Sequence, residues 1–135
     1  MMYQIDFSST RALYADSDGW CGCIYCENYY CALPKYHPEA VKALNDLGLR
    51  HDRALEIADC FWDETGKKRI YQAYYPVIGT LATDELEQIS STATLTLYRH
   101  DSPKLFCPTP KTELPYFVAV LTVSLPWEMP STPDE

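Results

Sequence analysis

The chain has 135 residues, of which 47% are apolar and 22% are charged, and its formal net charge is −8. This length is typical of one domain, and this composition is typical of a globular rather than a disordered chain. The negative charge argues against direct nucleic-acid binding, which needs a basic surface. Because no apolar run approaches the roughly 18 residues of a membrane-spanning helix, no membrane association is predicted.

The first six residues, Met1 to Asp6, show no basic stretch followed by an apolar one. No secretory signal is therefore predicted, and we expect a cytoplasmic protein. In a reducing compartment the six cysteines are expected to be packed thiols, metal ligands or a redox pair rather than three disulfides.

The N-terminal third alternates between ordered elements and turns. Residues 3–7 alternate between apolar and polar side chains, which predicts a short strand. Residues 16–19, Asp-Ser-Asp-Gly, predict a turn. Residues 26–33 are predicted to form a short helix that Pro34 ends, because proline has no backbone donor.

The clearest helix follows, between Pro38 and Gly48. Pro38 suits the first helical position, since its φ angle is fixed and its missing N–H is not needed there. Val41, Leu44 and Leu47 fall at helical spacing and form one apolar stripe. Gly48 is expected to end this helix in the left-handed conformation.

From residue 55 onward the pattern is typical of strands. The segment 55–62 predicts one strand and 69–75 its return, with a hairpin turn at 63–67. Residues 92–100 alternate strictly, with Ala, Leu and Leu facing one way, and residues 117–125 show the same period. Such alternation is typical of an antiparallel sheet with one solvated face.

The remaining segments complete the predicted architecture. Residues 84–91 are expected to add a helical turn, and 101–115, with four prolines, a long surface connection. We predict one α+β domain over residues 1–127, with one or two helices packed on a four- or five-stranded, mostly antiparallel sheet. Residues 128–135 are expected to form a flexible acidic tail.

The densest group of chemically active residues is the cysteine cluster. Cys23 and Cys26 have the two-residue gap with which one turn presents two thiolates to a zinc ion. A structural zinc site would use Cys21, Cys23, Cys26 and Cys31, with His37, Cys60 and Cys107 as other candidates for the fourth ligand. Packed thiols are the competing interpretation, and a redox or nucleophilic role of Cys23 or Cys26 is the third.

Two acidic segments of the chain, residues 1–34 and 70–98, contain six closely spaced tyrosines. Tyrosine supplies stiff contact area with a polar tip and is enriched at protein interfaces. An acidic, tyrosine-rich surface would attract a basic protein partner. The predicted partner-binding residues are Tyr25, Glu27, Tyr29, Tyr30, Tyr71, Tyr74, Tyr75, Asp84, Glu85 and Glu87.

Three short stretches resemble small uncharacterised bacterial and mobile-element proteins: Trp20–Ala32, Asp46–Leu49 and Val123–Trp127. Those proteins share a Cys-x-Cys-x-x-Cys-x-Asn-aromatic start and a strand that ends in Leu-Pro-Trp. The resemblance implies a mobile-element origin and no particular chemistry. Where several of them have a histidine before a strand glycine, this chain has residues 74–79, Tyr-Tyr-Pro-Val-Ile-Gly.

The sequence therefore predicts a non-enzymatic, acidic protein that binds a basic protein surface. One partner of this kind is the nucleic-acid-binding groove of a host defence nuclease such as a CRISPR effector, whose nucleic acid the acidic surface would imitate. A zinc-stabilised interaction module of unknown partner is the alternative function, and a thiol-dependent enzyme is the second alternative.

Overall fold

The computed structural model of the chain describes residues 3–15, 24–62 and 68–129, and only the backbone of residues 59–62. In this part, no helix is long and apolar enough to cross a membrane. The predicted turn at 16–19 and the hairpin at 63–67 lie outside the described residues. The elements, in chain order, are β1 (Tyr3–Ile5), α1 (Phe7–Ala15), α2 (Ile24–Tyr36), α3 (Pro38–Asp46), β2 (Glu56–Trp62), β3 (Lys68–Leu81), β4 (Glu85–Ser90), β5 (Ala93–Arg99) and β6 (Tyr116–Pro126).

The strands form one antiparallel sheet in the order β1–β3–β6–β5–β4. Strand β3 has 14 residues, so that its first half also pairs with β2 while its last three residues pair with β1. This architecture confirms the predicted α+β class. The described residues contain six strands and three helices, against a prediction of four or five strands and one or two helices.

The main hydrophobic core lies between the helices and one face of the sheet, which we call the helix-side face. Ala93, Leu95 and Leu97 of β5 are all at most 5% exposed, as the strict alternation predicts. They lie opposite Val123, Leu121 and Ala119 of β6, and cross-strand partners share a face of the sheet. Helix α2 packs against α3, β6 and β2 on this side.

The second face of the sheet is partly covered by the connection between β5 and β6. Val118 and Val120, which alternate with the core residues of β6, are also buried. Cys107 in the connection is close enough to Glu56 of β2 for that carboxylate to raise its pKa, although burial raises it more. The long connection therefore crosses this face, and Pro110 within it is buried.

Helix α1 corrects the prediction that the first strand reaches residue 7. Strand β1 ends at Ile5, and Asp6 caps a helix that starts at Phe7. The Asp6 carboxylate accepts hydrogen bonds from the backbone N–H of Ser9 at 2.9 Å and from its hydroxyl at 2.8 Å. Such caps satisfy the free N–H groups of a helix start, so the Ser-Ser-Thr run begins a helix.

Helix α2 is longer than predicted, and Pro34 does not end it. The helix starts at Ile24 and runs to Tyr36, so that Pro34 stands in its last turn. A proline there removes one backbone hydrogen bond, while the N–H of His37 still reaches the carbonyl of Leu33 at 2.8 Å.

Helix α3 confirms its predicted start and end signals. Pro38 occupies its first turn, and Gly48 follows its last turn with a φ angle of +82°. The N–H of Leu49 reaches back to the carbonyl of Leu44 at 3.1 Å, which closes the helix end.

One prediction in the C-terminal half is wrong. Residues 84–91 form no helical turn, because Glu85–Ser90 pair with β5 as the strand β4. Near the end of the described part, the Trp127 ring lies 5.9 Å from the Tyr25 ring. Glu128, predicted to start the tail, ion-pairs with Lys35 at 2.6 Å, while residues 130–135 lie outside the described part.

Candidate functional site

A groove opens on the helix-side face between α3 and the β4–β5 hairpin. We call it the α3–β4 groove, and its volume is about 290 Å³. Its lining residues are Tyr3, Ala43, Asp46, Leu47, Glu85, Leu86, Glu87, Leu95 and Leu97. The last turn of α3, the edge strand β4, its neighbour β5 and the start of β1 thus each contribute one wall.

The inside of the α3–β4 groove is apolar because the apolar side chains of β5 and those at the end of α3 meet there. Leu95 and Leu97 point to the helix-side face and are 5% exposed. Ala43 of α3 and Leu47, the residue directly after this helix, lie four residues apart, so that they share one face and close the groove from above.

The rim of the groove carries three carboxylates. Glu85 and Glu87 lie opposite Leu97 and Leu95 in the strand register, which places both on the helix-side face. Asp46 contributes the third from α3, and its ion pair with Lys42 at 3.1 Å is between exposed side chains. Among the described residues that line the groove, the three charged side chains are all acidic, so that the rim is negative. Exposed ion pairs such as that between Asp46 and Lys42 are weak.

Asp84, predicted to bind the partner, is exposed and makes hydrogen bonds within the fold. Its carboxylate accepts hydrogen bonds from the backbone N–H of Arg99 at 2.9 Å and from the hydroxyl of Ser102 at 2.8 Å. These bonds tie the β3–β4 connection to the end of β5. Of the predicted acidic residues, Glu85 and Glu87 line the groove, and Asp84 does not.

Three of the predicted partner-binding tyrosines are in the core. Tyr29, Tyr71 and Tyr75 are each 0% exposed, so a partner cannot reach them in this fold. Their hydroxyl groups are paired internally: the Tyr71 hydroxyl accepts from Asn28 Nδ2 at 3.0 Å, and the Tyr29 and Tyr75 hydroxyls lie 2.7 Å apart. The interpretation of these tyrosines as interface residues is corrected by their burial.

The other predicted residues do not form one surface with the groove. Tyr25 is half-buried between Trp127 and the guanidinium of Arg69, which lies 5.1 Å above its ring. Tyr30 accepts a hydrogen bond from the N–H of Ala54 at 3.1 Å.

Glu27 and Tyr74 lie on opposite sides of the sheet. Glu27 is exposed on α2, on the helix-side face. Tyr74 alternates with the core residues Ala73 and Tyr75, so that it stands on the second face, and its hydroxyl lies 3.4 Å from Gln72 Oε1. The predicted acidic, tyrosine-rich surface is thus divided among separate parts of the molecule.

The described cysteines of the predicted zinc site do not converge. Cys26 is fully buried and disulfide-bonded, and its partner is outside the described side chains, since Cys31 and Cys107 are free. A disulfide sulfur is not a thiolate ligand. Cys31 is exposed and stands five residues further along α2, about 140° around the helix axis from Cys26. Cys21 and Cys23 lie outside the described residues.

The other candidate ligands are also apart from this cluster. His37 is buried, with one ring nitrogen 3.2 Å from the carbonyl of Ser124 and the other 3.3 Å from Glu39. Cys107 lies in the connection over the second face, and the side chain of Cys60 is outside the described part. Among the described residues, no group of three metal-ligating side chains is close enough to hold an ion.

Among the described free cysteines, Cys107 has a pKa that departs from its usual value, and the shift does not activate the thiol. Burial raises the pKa of the Cys107 thiol, and the Glu56 carboxylate raises it further. A raised pKa lowers the fraction of thiolate, which is the nucleophilic form.

Comparison with known proteins gives no relative from which a function is transferred: no family model, no curated protein and no solved structure matches this chain. Of the nine residues that line the groove, the sequence analysis predicted Glu85 and Glu87 as binding residues. It missed the other seven, which are Tyr3, Ala43, Asp46, Leu47, Leu86, Leu95 and Leu97. The signal for Leu86 was a leucine between two glutamates in an alternating segment, which is typical of an edge strand.

Proposed function

We propose that this chain is a non-enzymatic binding protein that takes a basic segment of a partner protein in the α3–β4 groove. One observation carries the proposal: a leucine floor is combined with a rim of three carboxylates in one groove. Lysine and arginine have an apolar stem and a charged head. The stem complements the leucine floor of such a groove, and the head complements its carboxylate rim. The net charge of −8 also favours the approach of a basic partner.

The partner class that we propose is the basic, nucleic-acid-binding surface of a protein such as a host defence nuclease. Carboxylates at the rim would replace phosphates there, and the leucine floor would hold apolar stems. Binding in this way competes with nucleic acid and weakens as the salt concentration rises.

The proposal is tested with a fluorescent peptide that contains lysine and leucine, titrated with the protein at several salt concentrations. Replacing both Glu85 and Glu87 by glutamine should weaken binding about tenfold, because each exposed charge pair contributes up to about 1 kcal/mol. The matched control is Glu113→Gln, an exposed carboxylate in the β5–β6 connection. Equal binding by wild type and the double variant, or indifference to salt, contradicts the proposal.

A further inference from the structure

Strand β4 stands at the end of the sheet order, and within the described residues it pairs with β5 alone. Alternate residues of an antiparallel strand direct their N–H and C=O groups to opposite sides. Half of the backbone polar groups of β4 therefore point away from β5, toward the position of a next strand. Such edges accept additional strands when nothing prevents it.

The side chains of β4 differ between its two faces. Glu85 and Glu87 are on the helix-side face, whereas Leu86 lies opposite Thr96 on the second face and is 70% exposed. The regular pairing stops at a bulge between Gln88 and Ser90, so the usable segment is Glu85–Gln88. Two glutamates on an edge oppose pairing with acidic strands, including a second copy of β4, and favour a basic one.

We propose that the partner's basic segment binds as an extended strand beside β4 and so extends the sheet. This inference rests on the proposed function and adds the conformation and the sequence pattern of the partner. Cross-strand neighbours share a face, so lysine or arginine would lie beside Glu85 and Glu87, and an apolar side chain beside Leu86. The segment recognised is therefore one in which basic and apolar residues alternate.

The test compares two lysine–leucine peptides of equal composition, one alternating and one with the residues in blocks. Two further versions of the alternating peptide carry N-methyl groups on alternate peptide nitrogens, one set for each edge of the strand. We expect the alternating peptide to bind about tenfold more tightly than the block peptide, because only it matches both faces. One of the two N-methylated peptides should bind with about tenfold lower affinity, because it has lost the backbone N–H groups that donate to β4.

Hydrogen exchange and a variant pair complete the experiment. The alternating peptide should slow amide exchange within residues 85–88. Leu86→Ser should weaken the binding of this peptide more than Leu114→Ser does, since Leu114 is a leucine outside β4 that is 49% exposed. If both peptides bind equally and no β4 amide is protected, strand addition is wrong while basic-peptide binding stands. If no basic peptide binds at all, this inference and the proposed function both fail.

Discussion

The hydroxyl groups of Tyr29 and Tyr75 lie 2.7 Å apart at the centre of the fold, where both side chains are fully buried. The Tyr75 hydroxyl is also 2.8 Å from the carbonyl of His51, which can only accept a hydrogen bond. Because a hydroxyl has one proton, Tyr75 donates to His51 and Tyr29 donates to Tyr75. These two consecutive hydrogen bonds join α2, β3 and the loop after α3.

Replacing Tyr75 by phenylalanine should lower the free energy of unfolding by about 1–3 kcal/mol, because the carbonyl of His51 and the Tyr29 hydroxyl each lose a buried partner. Urea denaturation measures the change. Tyr98→Phe is the control, since Tyr98 is a half-buried tyrosine of β5 and its change should stay within about 0.5 kcal/mol. Equal effects of the two substitutions would show that the buried hydrogen bonds of Tyr75 contribute nothing to the free energy of unfolding.

Alkaline titration should separate the buried tyrosines from the rest. Burial raises the pKa of Tyr29 and Tyr75, and also that of Tyr14, far above the usual 10.0. Stability from groups with a raised pKa is complete below pH 10 and is lost as the pH rises further, because only the unfolded chain ionises there. Tyrosinate absorbance should therefore appear in two steps, the second coinciding with the loss of circular dichroism. A single step without unfolding contradicts the burial.

The stability of the protein at acidic pH depends on Asp6. Hydrogen bonds from the Ser9 backbone N–H and then from its hydroxyl hold the pKa of this carboxyl below 3.8. A carboxylate with a lowered pKa contributes stability above pH 3.8 that is lost as the pH falls through its folded value. Asp6→Asn keeps a capping oxygen but does not titrate. Wild type should lose stability relative to this variant below pH 3.8, and parallel pH curves for the two would contradict the cap.

Asn28 holds the C-terminal end of β6 on α2. Its Nδ2 donates to the Tyr71 hydroxyl and, at 3.3 Å, to the Pro126 carbonyl, and its Oδ1 accepts from the N–H of Glu128 at 2.6 Å. Asn28→Ala should cost about 1–3 kcal/mol of stability and change the Trp127 fluorescence, because these buried groups lose their partner. The exposed Asn45→Ala should leave both unchanged within about 0.5 kcal/mol.

Gly79 allows β1 to join the sheet. Its φ angle is +152°, and a Cβ at this position would overlap the backbone carbonyl of Gln4. Gly79→Ala should therefore cost more than the roughly 1–2 kcal/mol expected for Gly48→Ala, where φ is +82° and a movable Phe7 ring is the nearest neighbour. Thermal unfolding of both variants measures which substitution costs more stability. A smaller loss for Gly79→Ala contradicts the close approach of Gly79 to the Gln4 carbonyl.

The state of Cys26 separates the disulfide from the alternative proposal of a zinc site. Peptide mapping without reduction should find Cys26 cross-linked, while Cys31, which is exposed, should react with iodoacetamide in the folded protein. One zinc per chain with Cys21, Cys23 and Cys26 all reduced would overturn the disulfide and favour the zinc-stabilised module. Elemental mass spectrometry of protein purified without chelator measures the zinc.

Local signals predicted the parts of the fold that local physics determines. Helix α3 followed from Pro38 and Gly48, and β5 followed from strict alternation. Helix α1 was missed because its signal is a single capping residue, Asp6, within an apparently alternating run. Residues 84–91 are predicted to form a helical turn but form strand β4, because pairing with β5 decides their conformation and β-propensity depends strongly on such context.

The candidate site was harder to predict because it is assembled from distant segments. Asp46 and Glu87 come from different elements, and only the fold brings α3 to the β4–β5 hairpin. The tyrosine content suggested an interface, yet composition does not distinguish a buried tyrosine from an exposed one. Tyr29, Tyr71 and Tyr75 are in the core, where hydrogen bonds to their hydroxyl groups offset the cost of burying them.

Charge reversal at the groove tests the central proposal most directly. The Glu85→Lys/Glu87→Lys variant should lose about tenfold or more in affinity for the basic lysine–leucine peptide and gain affinity for a glutamate–leucine peptide. The Glu39→Lys/Glu113→Lys variant makes the same charge change on exposed carboxylates outside the groove and should keep the wild-type preference. If both variants change in the same way, only overall charge matters, and the α3–β4 groove is not the binding site.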